Sequence, residues 1–134
     1  MKYFRLVLLL LFPVCAFAQQ QSPQDEEKKM YEMIEKEVER YEKTLELSGW
    51  QVFYVDSILT HDYNAMKEEL MTLSKAKVSS SDVYVQVQDK WMEKIYVAFG
   101  KVFNEEQWAK YLKQGGAKEK KARDKREAKR NKQK

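Results

Sequence analysis

From Met30 onward, apolar residues recur at helical rather than strand spacing. Over residues 23–47 the apolar positions Met30, Ile34, Val38, Tyr41 and Leu45 stand 4, 4, 3 and 4 apart, with Glu and Lys filling the rest. This predicts one amphipathic helix with a narrow apolar stripe. Ser22-Pro23 marks its start, with Ser22 as N-cap and Pro23 where a missing N–H costs nothing. Asp25, Glu26 and Glu27 then occupy the first turn, where the helix dipole favours them. A second helix is predicted over residues 49–75, roughly 40 Å long at a rise of about 1.5 Å per residue. One face carries Val52, Val55, Leu59, Tyr63, Met66, Leu70 and Met71/Leu73, while Trp50, Tyr54, Ile58 and Ala65 lie nearly opposite. A helix apolar on two sides is expected to be covered on both. Packing inside a four-helix monomer, a dimer interface or a client-binding surface would each do this. Trp50, Tyr54 and Ile58 are therefore the candidate protein-binding or dimer surface.

Residues 77–81 form a polar break, in which Ser79, Ser80 and Ser81 are all plausible N-caps. A third helix follows over 82–99, with Tyr84, Val87, Trp91, Ile95 and Ala98/Phe99 as its stripe. Val83, Val85 and Val87 also alternate as a strand would, but there is no second strand for such a segment to pair with. Gly100 interrupts the pattern, and a fourth helix is expected from Asn104 to about Gln114, with Trp108 and Tyr111/Leu112 as apolar contacts. Gly115-Gly116 reads as its C-cap. Residues 117–134 offer nothing larger than Ala to an apolar face, which excludes them from a core. They are expected to be either disordered or a solvated, charge-paired helix continuing past the glycines. The expected fold is all-α: four helices including one long one, elongated, with a basic C-terminal helix or tail.

Charge sharpens this division. The 134 residues, enough for one domain, carry a net charge of +4. It resolves into +2 over residues 1–18, −5 over 19–116 and +7 over 117–134. The first segment reads as a secretory leader. Lys2 and Arg5 precede an apolar run at 6–12, and Ala16-Phe17-Ala18 offers small residues for cleavage before Gln19. The run is too short to span a bilayer. Cys15 follows Pro13-Val14, where a lipobox wants a small residue, so it reads as discarded with the leader. The mature chain then has no Cys, which suits an oxidising compartment. The short basic start and A-x-A site look bacterial, placing the protein in the periplasm and removing nucleic acid as the natural partner of the tail. The expected layout is a signal peptide at 1–18, a linker at 19–22, a helical domain at 23–116 and a charged tail at 117–134.

Candidate chemistry is sparse. His61-Asp62 with Glu68 and Glu69 suggests a metal site, and Asp62 and Glu69 share a helix face, but His61 lies about 100° away. With one His and no mature Cys, zinc or copper would lack ligands, and the segment reads as a solvated polar edge. There is no Gly-rich phosphate loop, paired-Cys motif or nucleophile–base pairing. The expectation is a non-catalytic protein without metal or cofactor. The tail has three readings: solubility, attraction to anionic phospholipid or lipopolysaccharide head groups, or steering of acidic unfolded clients.

One motif occurs twice. Leu47-Ser48-Gly49-Trp50-Gln51-Val52 and Phe103-Asn104-Glu105-Glu106-Gln107-Trp108 each set a large apolar residue before a capping residue, then a Gln at N3 and an apolar residue at N4. This is a capping box with a hydrophobic staple. Ser48 and Asn104 would accept from an orphan N–H, and Gln51 and Gln107 would reach back to the N-cap N–H. Leu47 would pack on Val52, and Phe103 on Trp108. The pattern resembles the LTxxQ repeat of the Spy/CpxP family of small periplasmic proteins, with Ser48 standing for Thr and Phe103-Asn104 for Leu-Thr. The resemblance covers residues 40 to 130 and extends to the layout of leader, helices, motifs and charged tail. It implies an all-helical, cradle-shaped antiparallel homodimer whose motif residues cap helices rather than catalyse. It implies an ATP-independent chaperone or a stress-signalling inhibitor, with unfolded clients or envelope-stress components as partners; related members bind metals. The alternative expectation is a structural envelope module whose basic tail binds anionic surfaces without chaperone activity.

Overall fold

The computed structural model describes residues 22–133, and those residues are all-helical, with no strand among them. The segment read as a leader, with Cys15, lies outside the described residues, as do residues 19–21 of the expected linker. Helix α1 (Pro23–Leu45) starts at an N-cap Ser22 whose hydroxyl accepts from the Asp25 N–H while Asp25 answers the Ser22 N–H. It stops two residues before the expected end, because Glu46 turns left-handed at φ 54° and its N–H reaches back to the Glu42 carbonyl. Helix α2 (Gly49–Lys75) has the predicted bounds.

Helix α3 (Ser81–Val102) runs through Gly100, where the sequence suggested a break. Gly100 lies inside the helix beside the Trp108 indole, where a Cβ would sit in ordinary contact 3.6 Å from the ring, so it does not end the helix. Val83, Val85 and Val87 all lie within α3. Helix α4 (Glu105–Tyr111) is short, and Gly115-Gly116 does not terminate the chain's helical course. A π-type turn (Leu112–Gly116) kinks there, with Gly115 at φ 126°, and α5 (Ala117–Asn131) continues beyond it. Gly116 is equally constrained, since a Cβ would meet the Tyr111 ring at 2.6 Å.

The predicted stripes supply most of the core. Ile34, Val38, Tyr41 and Leu45 from α1 meet Val55 and Leu59 from α2, Ile95 and Phe99 from α3, and Tyr111 from α4. At its centre Tyr41, Phe99, Phe103 and Tyr111 pack with centroids 5.0–6.3 Å apart, several of them edge to face. Such contacts add roughly 0.5–1.5 kcal/mol each beyond area burial. Both staples join the core: Leu47 and Phe103 are buried, with Val52 and Trp108 packed against the same cluster.

Residues 117–131 take the second of the two expected forms, a charge-paired helix continuing past the glycines, mostly exposed but held on the body. They dock on α3 through arginines, without apolar residues. Arg123 is buried, with Nε and Nη2 donating to Glu93 Oε2 at 3.3 and 3.2 Å and its guanidinium 5.5 Å from the Tyr96 ring centroid. Arg126 grips Asp89 with two donors, one at 2.9 Å, and Arg130 Nη2 adds a third at 3.2 Å. The Arg126 hydrogen bond, then that of Arg130, holds the Asp89 carboxyl below the usual range against the effect of burial.

A paired-glutamine clasp and the groove beside it

Both predicted capping boxes form, and their glutamines do more than cap. Gln107 N donates to Asn104 Oδ1 at 2.9 Å, and Gln107 Oε1 accepts from Asn104 N at 3.0 Å. Gln51 Oε1 accepts from Ser48 N at 3.0 Å. The Ser48 hydroxyl faces the N3 amide without a close hydrogen bond to it, and its own proton goes to Gln51 Oε1 at 3.1 Å. The two glutamine amides then pair with each other across 56 residues of sequence. Gln51 Nε2 donates to Gln107 Oε1 at 2.6 Å, and Gln107 Nε2 to Gln51 Oε1 at 3.0 Å. Gln51 Nε2 also reaches the Val102 carbonyl at 2.9 Å, taking up an orphan acceptor at the end of α3. Both side chains are buried, at 5% and 7% exposure, so the bonds between the two amides are sheltered from water, while those to Ser48, Asn104 and Val102 are only partly so.

This clasp fixes what the start of α2 presents. Gln51, Val55 and Leu59 point inward and are buried. Trp50 and Tyr54, on the adjoining face, are 58% and 51% exposed, and Ile58 is half-buried. Ile58 packs partly against the core, but no described element covers Trp50 and Tyr54. Burial on both sides within one chain, one of the three arrangements the sequence left open, therefore does not occur among the described residues. Trp50 and Tyr54 pack edge to face at 6.0 Å, and Phe53, 66% exposed, packs on Tyr54 at 5.8 Å. Opposite Trp50 and Tyr54, α3 contributes Val97, Ala98 and Val102, with Glu93, Lys94 and Lys101 also lining the space. The result is an open apolar groove of about 770 Å³ between the two helices.

Phe53 and the Lys94–Val97–Lys101 wall were missed by sequence reasoning. A 3–4 spacing signals both, but the first lies between the two faces of α2 and the second on the polar side of the α3 stripe. A second apolar groove was missed as well. Met30 and Met33 of α1 face Met66, Leu70 and Met71 of α2 across about 500 Å³, and Met33 and Met71, the latter expected in the buried stripe, are exposed.

Other candidate chemistry is taken up internally. His61 is exposed and its Nδ1 lies 2.7 Å from Asp62 Oδ1. Glu69 accepts from Lys90 and, at 2.8 Å, from Trp91 Nε1, and those two bonds hold its carboxyl below the ordinary range. No group of three or more metal-ligating side chains occurs among the described residues. Beneath the π-type turn a cavity of about 190 Å³ holds Glu37, which already accepts from Tyr41 Oη at 3.1 Å, Tyr63 Oη at 3.2 Å and Arg40 at 3.2 Å. Burial, with Glu37 adding to it, pushes the Tyr41 and Tyr63 phenols well above their ordinary range, and burial raises Tyr111 to about 12.

No known protein family, curated protein or solved structure matches the chain, so its functional reading rests on this geometry.

Proposed function

We propose that the protein is an exported, non-catalytic binding protein of Spy/CpxP type, a periplasmic chaperone or envelope-stress modulator. In this reading the groove beside the paired-glutamine clasp receives apolar segments of other proteins. The observation that carries it is the exposure of Trp50 and Tyr54 across the groove from Val97, Ala98 and Val102 of α3, with Phe53 exposed beside them. Contiguous exposed aromatics mark interaction surfaces, and rings bring contact area at low entropic cost. Covering about 100 Å² on each of three rings is worth roughly 7 kcal/mol before the cost of association, enough for transient capture. The two-box architecture, the leader and the absence of a catalytic constellation in the sequence agree with this reading.

The test is suppression of aggregation of a chemically unfolded client. Protein purified from the compartment where its host accumulates it protects at near-stoichiometric ratio. The Trp50→Ala/Tyr54→Ala variant keeps its helicity and loses most protection. Absence of protection by the unmodified protein at several-fold excess refutes the chaperone reading, and undiminished protection by the variant refutes the groove.

A further inference from the structure

The basic residues of α5 are sorted by type. All three arginines, Arg123, Arg126 and Arg130, turn toward α3 and pair with Glu93, Asp89 and Asp82. Lys118, Lys121, Lys125, Lys129 and Lys132 turn elsewhere. At about 100° per residue, these five lysines fall within an arc of about 80°, centred about 130° from the arginines. All five are exposed, and among the described residues none is paired with a carboxylate. Lys132 is the C-cap of the helix, and the remaining lysine, Lys120, lies off this arc and is taken up by Glu93 and Asp124.

We propose that this row of five lysines is a docking edge for a bilayer leaflet bearing anionic phosphate head groups. The row is straight and about 21 Å long, and the arginine pairs hold its helix against the body. Its chemistry selects among polyanions. A compact ammonium is a point charge that meets mobile phosphates in any orientation, whereas forked recognition of a fixed phosphate or base edge uses Arg. Stacking on nucleobases uses aromatic side chains, and a protein interface needs an apolar or aromatic anchor at its centre. The outward face supplies neither, since alanine is the only apolar residue type in α5. A fluid array of head groups needs only the charges. The helix would rest on the surface without inserting, because it has no apolar face to bury.

This proposal is independent of the Trp50 groove. The experiment is co-sedimentation with vesicles of mixed phosphatidylglycerol and phosphatidylcholine, against phosphatidylcholine alone, using protein purified from the compartment where its host accumulates it. The protein binds the anionic vesicles, and binding weakens with salt. Each lysine contributes about fivefold, so Lys121→Gln/Lys125→Gln/Lys129→Gln binds about a hundredfold more weakly. The equally charged control Lys28→Gln/Lys36→Gln/Lys43→Gln, on α1, stays within about threefold of the unmodified protein, and Trp50→Ala/Tyr54→Ala also keeps its binding. Equal loss in the α1 control reduces the effect to net charge and overturns the proposal. So does equal binding to both vesicle types, loss in the Trp50 variant, or duplex DNA or polyglutamate binding more tightly than anionic vesicles.

Discussion

Replacing Gln51 by Ala is expected to destabilise the protein by about 3 kcal/mol, and the geometry gives the parts. The substitution removes the group that answers the Ser48 N–H, worth about 1 kcal/mol at a helix start. It also strands the part-buried Val102 carbonyl and one edge of the buried Gln107 amide, at a cost of about 1 kcal/mol each. Gln107→Ala has a similar cost, because it strands Gln51 and the Asn104 N–H. For a chain of this size, each kcal/mol lowers Tm by about 4 °C. The informative quantity is the double variant. Once either glutamine is gone the amide pair is already broken, so the second substitution loses only its local box. The two together should cost about 4–5 kcal/mol rather than 6, a coupling of about 1–2 kcal/mol. Urea unfolding followed by helical circular dichroism measures all three variants and the parent. Additivity within about 0.4 kcal/mol would mean that the glutamines act as two separate caps and that the clasp between them is not energetically real.

Gly115→Ala should cost about 1–2 kcal/mol through its φ of 126° alone, since the space around it is open, whereas Gly116→Ala should be worse because its Cβ meets the Tyr111 ring at 2.6 Å; melting temperatures rank the two. Acid should release α5 before the core melts. Asp89 titrates below the usual carboxylate range because of Arg126 and then Arg130, so its contribution is present above about pH 4 and is lost as pH falls through the lowered value. Amide hydrogen exchange across residues 117–131 should rise there first, and unchanged protection in acid would contradict the arginine clasp. At the alkaline end the raised Tyr41, Tyr63 and Tyr111 contribute stability below about pH 10 that is lost as pH climbs through their folded values, so phenolate absorbance should show these three ionising only as the helices unfold.

The helices were legible because each apolar stripe repeats at 3 and 4 and three of the first four helix starts carry a capping box that acts locally. Ser22, Ser48 and Asn104 need nothing beyond the next turn to work. What lay beyond reach was tertiary. Nothing local says that Gln51 and Gln107 meet, since each box is complete without the other, and only the packing of the first turn of α2 against the start of α4 brings their amides together. Gly100 and the Gly115-Gly116 pair were misread for a related reason. A glycine in a helical pattern signals a break when judged by propensity, but the packing of α3 on its neighbours carries the helix through Gly100. Gly115 allows a kink through which the chain stays helical. The two-faced pattern of α2 did point to Trp50, Tyr54 and Ile58, and it pointed no further because periodicity locates a face without saying what covers it.

Net charge was the least informative of the sequence signals, for a physical reason. The tail's +7 and the body's −5 suggest a polarised molecule without saying which charges pair. Folding spends that charge unevenly. Arg123, Arg126 and Arg130 face Glu93, Asp89 and Asp82, which cancels part of both numbers at one contact. A planar fork fits a fixed carboxylate with two donors and loses little freedom in doing so, whereas a lysine must order a flexible stem for a single-point contact. Arginine is therefore the residue that docks a helix with no apolar face, and lysine the residue best left in water. A tail in which the two types alternated without helical period would have to choose between docking and solvation. Here the types lie on separate arcs, so α5 does both at once, holding to α3 by one side and presenting five uncompensated charges on another.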